Sequence, residues 1–238
     1  MAASPSQTTP RIPSGRFASV ALVGASLLEV LALTQHPHVH AHSMAQAIEQ
    51  LAALAASFAR VHALVIAVLL VSFIGLAEFA RRRDLARPLI QAALTAYGAG
   101  VLAMIAGALV EGIVTPRIAA HALTLGAADT QTTAQLVNFC MQFNQAFAGF
   151  GVVSMATGIG LWSLDLIRAP GAAKALGVLG LAGMVGGVGL LAGVLPLEGH
   201  GLIAVLGVQI AWSAGIGLLL WRGGSGASGP QFAYQPMP

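Results

Sequence analysis

Six apolar blocks, each long enough or nearly long enough to cross a lipid bilayer, constrain this chain more than any other feature. They run from Phe17 to Thr34, Val61 to Ala80, Leu89 to Val114, Phe147 to Leu164, Ala175 to Leu197 and Gly201 to Trp221. A helix rises 1.5 Å per residue, so a bilayer core takes about 20 apolar residues to span, with about 17 to 25 tolerated. Only 8% of the residues are charged and 57% are hydrophobic, whereas an ordinary soluble domain is about 25% charged. The expected fold is all-α: a polytopic integral membrane protein with six transmembrane helices over residues 16–222. Residues 1–15 and 223–238, rich in Ser, Thr, Pro and Gly, read as mobile tails.

The basic residues orient these spans. With a cytoplasmic N-terminus, Arg11, Arg16, Arg81, Arg82, Arg83, Arg87, Arg168, Lys174 and Arg222 all fall inside, and only Arg60 and Arg117 of the eleven fall outside. An excess of Lys and Arg marks cytoplasmic loops. A bacterial cytoplasmic (inner) membrane location with both termini inside is therefore expected. A cleaved signal peptide fits poorly, because Glu29 interrupts the first apolar run and no A-x-A-like site follows it. The high pI reflects inner-face arginines. No basic stripe with interleaved aromatics is present, so nucleic acid is not an expected partner.

The outer connections carry structure of their own. Ser43 and Gln46 form an S-x-x-Q capping box, and Met44, Ile48, Leu51, Ala55 and Phe58 follow at helical spacing. That helix either runs on into the second span or bends near Arg60. The polar segment Asp129 to Gln135 leads into the fourth span without a Gly or Pro until Gly149. A small helical cap on the outer face is the expected result. FIGLAEFARR from Phe73, GIGLWSLDLIR from Gly158 and GIGLLLWR from Gly215 point to three helical hairpins of similar plan.

Glycine dominates the fifth span, with Gly183 and Gly187 at small-xxx-small spacing. Such faces let backbones approach closely, either within one bundle or against another membrane protein, and the fifth span is expected at the centre. Trp162 and Trp221 precede inner basic residues, where an aromatic belt is expected. From about Met155 to Arg222, a helix, a short basic loop, KALGVLGLAG and a last helix ending in Trp-Arg resemble uncharacterised six-helix bacterial membrane proteins grouped as a domain of unknown function. The resemblance covers under a third of the chain; it implies the topology and no activity.

Chemistry has to come from the few ionisable groups. A charge in hydrocarbon costs a few kcal/mol, so each needs a partner or a purpose. Glu78 has Arg81 and Arg82 at helical spacing, and Asp165 has Arg168. Glu29 lies in the outer half of the first span, either hydrogen-bonded to Asn138, Gln142 or Asn144 or acting as a ligand. Glu111 and Glu198 come out near the outer boundary, and all seven histidines fall on that side.

Four of them stand at alternate positions in TQHPHVHAHSM: His36, His38, His40 and His42. In extended chain, side chains at i and i+2 share an edge, and Pro37 biases His36 towards that conformation. Neutral imidazole suits zinc and copper, carboxylates can complete a mixed site, and the thioethers of Met44 and Met141 favour copper(I). The candidate metal residues are His36, His38, His40 and His42 as a capture loop, with Glu29, His62, Glu111 and His200 as a deeper site. The alternative is a solvated, histidine-rich polar loop. His62 and His200 as axial ligands of a b-type haem are a weaker reading. Cys140, the single cysteine, excludes an intramolecular disulfide and reads as packing.

No glycine-rich nucleotide loop, HExxH helix or GxSxG elbow is present, and no catalytic constellation can be placed by spacing. Three function classes remain. They are transition-metal (copper or zinc) binding at the outer face, an accessory subunit packed through glycine-rich helices, and a small-solute or proton-coupled transporter using Glu29, Tyr97 and Gln209.

Overall fold

The computed structural model describes residues 14–125, 130–191 and 200–224, so most of both expected tails lies outside the described residues. Among the described residues there are eight α-helices and no strand: α1 (Ser14–Thr34), α2 (Met44–Ala53), α3 (Ala55–Arg82), α4 (Pro88–Leu109), α5 (Thr115–Leu125), α6 (Thr130–Leu166), α7 (Ala172–Leu191) and α8 (His200–Gly224). A π-helical turn, Val110–Val114, joins α4 to α5. Six stretches are long and apolar enough to cross a membrane, namely Gly15–Thr34, Ala55–Arg82, Pro88–Thr124, Gln131–Leu166, Ala172–Gly189 and Ala204–Gly223. The protein is an all-α, polytopic membrane protein.

The spans close a ring: α1 packs on α3, α3 on α4, α4 on α6, α6 on α7, α7 on α8, and α8 returns to α1. Helices in lipid have no hydrophobic drive to associate, so the ring depends on close approach and interhelical hydrogen bonds. Gly100 brings α4 against α6, where a Cβ would sit 2.7 Å from the Gly151 carbonyl oxygen. On the other side of the ring, the Ser19 hydroxyl of α1 donates to the Gly217 carbonyl of α8 at 2.6 Å. Leu22, Leu76, Tyr97, Ile159, Trp162 and Trp212 fill the interior.

Four sequence expectations need correction. Trp162 is not in an aromatic belt; it is buried, its ring stacks on Trp212 with centres 6.0 Å apart, and Phe79 meets it edge-on. Trp221 does sit at the surface, beneath the Arg16 guanidinium at 5.8 Å. The glycine-rich fifth span, α7, is not central: it has the smallest buried share of the six spans, 28% against 50% for α6. Its glycines face inward, Gly187 to Ala156 of α6 and Gly183 to Val208 of α8, while Val178, Val185 and Val188 are exposed on the other face. The small-residue stripe is used within one bundle.

Asp165 does not pair with Arg168. Buried in the bundle, its carboxylate accepts from Arg83, with Nε at 2.7 Å, and from Arg87 Nη2 at 2.6 Å. Arg168 is exposed. The helix turns Asp165 towards the α3–α4 loop, and two guanidiniums satisfy a buried carboxylate better than one solvated neighbour does. Glu78 pairs with Arg81 and Arg82 as the spacing predicts, at 2.6 and 2.9 Å.

At the opposite end lies the cap. Helix α2 does not continue straight into α3, nor does it bend at Arg60. The break comes at Leu54, whose φ and ψ of −93° and 4° leave the helical region. That turn lets α2 lie against α5 and bury Ile48. Helix α6, at 37 residues, is about 55 Å long and overshoots a hydrocarbon core of about 30 Å. Its first turns complete the cap.

Candidate metal centre

Three side chains converge where the cap meets the ring. His62 comes from the second turn of α3, Glu111 from the π turn after α4, and His36 from the loop after α1. Their ligand-capable atoms all lie within 4.8 Å of one another. His36 Nε2 is 3.6 Å from Glu111 Oε1, and His62 Nε2 is 3.5 Å from Glu111 Oε2.

Local sequence explains each placement. Pro116 has no N–H and its ring would collide with the carbonyl four residues back, at Gly112. The chain absorbs this by widening into the π turn, with the Thr115 N–H bonded to the Val110 carbonyl. Such bulges are often found at functional sites. Gly112 then matters for a second reason: a Cβ there would overlap the His62 imidazole. Glycine lets the ring lie directly against the turn that carries Glu111.

The loop is held from below by α2. The Ser43 hydroxyl accepts from the Gln46 N–H at 3.2 Å, as the capping box predicts, but Gln46 reaches one residue further back than expected, to the His42 N–H at 2.9 Å. One turn on, Gln50 accepts from the His40 N–H at 2.9 Å and donates to the His40 carbonyl at 2.8 Å. A side-chain amide thus replaces the neighbouring strand that an extended segment otherwise needs.

The hydrogen bonds decide what the triad can hold. His62 Nδ1 lies 2.8 Å from the Phe58 carbonyl, which only accepts, so Nδ1 carries a proton and donates it. The Nε2 lone pair of neutral His62 then faces a carboxylate oxygen. Two lone pairs at that distance call for a cation between them, either a proton or a metal ion. Metal-bound histidines commonly donate their second N–H to a carbonyl in this way. Asn144 of α6 donates to Glu111 Oε2 at 2.8 Å and so orients the carboxylate. Donor atoms around one tetrahedral zinc sit about 3.3 to 3.5 Å apart, and each imidazole Nε2 stands near that distance from one of the two Glu111 oxygens, at 3.6 and 3.5 Å.

His36 and Glu111 of the triad line a cavity of about 490 Å³, together with His38, His40, Met44, Cys140 and Met141. Among the residues lining it, Glu111 alone carries a formal charge. Burial lowers the His36 pKa from its ordinary value, and the opposing pull of Glu111 offsets this only in part. Asn144 and Asp165 are 21 residues apart on α6, about 32 Å of helix and close to one hydrocarbon thickness. The triad and the Asp165 cluster therefore stand about one hydrocarbon thickness apart along the bundle.

The eight candidate metal residues now separate. His36, His62 and Glu111 meet; His38 and His40 line the same cavity; His42 is exposed, with only its backbone held by Gln46. Glu29 is outside the cluster and makes no hydrogen bond to Asn138, Gln142 or Asn144 among the described residues; it lies within electrostatic range of Tyr97. The side chain of His200 and the whole of Glu198 lie outside the described residues. Gly112, Phe58, Gln46 and Gln50 were not singled out as site residues, although Pro116 four residues after Gly112 signals the distorted turn. Compared with protein-family models, curated proteins and solved structures, the chain shows no significant similarity to any of them. Fold and site together define a polytopic membrane protein with a His–His–Glu cluster beneath a helical cap.

Proposed function

We propose that this protein binds a transition metal ion, zinc(II) foremost, through His36, His62 and Glu111 at the outer face of the cytoplasmic membrane. The observation that carries the reading is the opposed pair of imidazole Nε2 atoms on the two oxygens of one carboxylate, with the His62 tautomer set by Phe58. Three protein ligands beside a cavity make an open site, in which the remaining position takes water or an exchangeable ligand. Protein purified in mild detergent without a histidine tag should hold one zinc per chain after equilibrium dialysis. No retained metal at micromolar zinc would reject the reading and leave the triad as a His–Glu ion pair.

The sulfur atoms of Met44, Cys140 and Met141 on the cavity wall favour a second reading, in which the cargo is copper(I). Repeating the dialysis with copper(I) under a reductant separates the two. Zinc retention without copper retention rejects the sulfur-based reading.

The orientation rests on the arginine distribution. A cysteine placed at Val39 in a Cys140→Ala background is expected to react with an impermeant thiol reagent in intact cells, and one placed at Asp84 is expected to stay unlabelled. The reverse pattern would put the histidine loop in the cytoplasm.

A further inference from the structure

We propose that His40, His38 and His36 form a ladder along which the metal ion travels from solvent to the buried His62 and the partly buried Glu111; this rests on the metal-binding reading above. The ring centres of His62 and His36 are 5.2 Å apart, those of His36 and His38 6.1 Å, and those of His38 and His40 6.1 Å. Two imidazoles bound through nitrogen to one tetrahedral metal place their ring centres about 5 Å apart. Each neighbouring pair is thus at, or a small side-chain shift from, the spacing at which both rings hold one ion. The ion moves by exchanging one imidazole for the next and is never bare.

The ladder also has a direction. His38 and His40 are exposed, His36 is partly buried and His62 is buried. The lone charged group on the cavity wall, Glu111, stands at the inner end. Desolvation of the ion is therefore offset stepwise by ligands, and the charge that stabilises it most comes last. Gln50 holds the His40 backbone through both its N–H and its carbonyl, which keeps the run extended and its alternate rings on one edge.

A pathway residue differs from a final ligand by a thermodynamic criterion. It changes the rates of loading and release by the same factor and leaves the equilibrium untouched, because it stabilises only the states in between. The test uses the full chain in detergent, zinc(II) alone as the probe, and stopped-flow loading and chelator-driven release. The double variant His38→Gln and His40→Gln keeps polarity, and the Gln50 clamp survives because it grips only backbone. Loading and release are both expected to slow by about tenfold or more, with the dissociation constant within twofold of the parent. His42→Gln, which removes a ring outside the ladder, should load at the parental rate. Rates unchanged in the double variant would overturn the ladder, and so would faster release with a proportionally weaker dissociation constant, which would make His38 and His40 ligands of the final site. A parent chain that fails to bind zinc would overturn the metal site itself, a result distinct from either.

Discussion

Glu111→Gln is expected to cost more than 100-fold in zinc affinity while leaving the fold intact. The substitution keeps size and hydrogen-bonding capacity, so Asn144 can still bond an amide oxygen, but the anionic ligand between His36 and His62 is gone. Loss of an outer-shell partner alone typically costs about 10 to 100-fold, and Asn144→Ala should fall in that range. The two variants together rank ligand above orienter. Isothermal titration or competition against a zinc chelator reads both, and equal, small losses would reject the assignment of Glu111 as a ligand.

The pH dependence of zinc binding follows from the same site. Ligand nitrogens must be neutral, so protons compete with the metal and affinity falls with decreasing pH. Burial holds His36 below the ordinary histidine value of 6.5, so this nitrogen stays available at neutral pH and is lost only under more acidic conditions. In Glu111→Gln the opposing charge that raises His36 is removed, which shifts the proton competition at His36 to still lower pH. Affinity measured from pH 8 to 5 in parent and variant checks the sign.

The second large effect is expected at the other end of the bundle. Asp165→Ala removes the carboxylate that accepts from both Arg83 and Arg87, and breaking a buried pair on one side costs about 3 to 5 kcal/mol. Side-chain exposures of 6% for Asp165 and 12% for Arg83 put this pair in the buried regime. Glu78 with Arg81 is the internal comparison: Arg81 is 59% exposed, and surface pairs contribute about 0 to 1 kcal/mol. A fall of about 10 °C in apparent Tm for Asp165→Ala, against little change for Glu78→Gln, is the expected outcome in detergent. Similar small shifts for both would mean that water reaches Asp165 freely.

The Asp165 pair also shows where reading the chain in one dimension stops. Spacing placed Arg168 beside Asp165 correctly on a helical wheel, and the nearer partner in sequence lost to two arginines about 80 positions away. The loss has a physical cause: one face of α6 is buried in the bundle and the other is exposed, and only the packing of α4 and the α3–α4 loop sets which face Asp165 occupies. Trp162 failed as a belt residue for the same reason. The glycine stripe of α7 was read correctly as a close-packing face, yet its place at the edge of the ring depends on what α6 and α8 offer it.

The six spans, the Ser43 cap and the presence of a small helical cap were legible in the sequence alone, because span length, hydropathy and capping chemistry are local. The i, i+2 edge expected of His36, His38, His40 and His42 was legible in part: an extended backbone brings the first three rings into succession, whereas His42 does not line the cavity. The meeting of His36, His62 and Glu111 was not legible. It required three conditions met together: α2 turning at Leu54 so that Gln46 and Gln50 could hold the loop, Pro116 forcing the π turn that carries Glu111, and Gly112 admitting the His62 ring. Their convergence is a relation between segments that hydropathy and spacing do not encode, and tertiary structure decided the site because a ligand triad depends on side-chain directions to within an ångström or so, whereas a membrane span depends only on length.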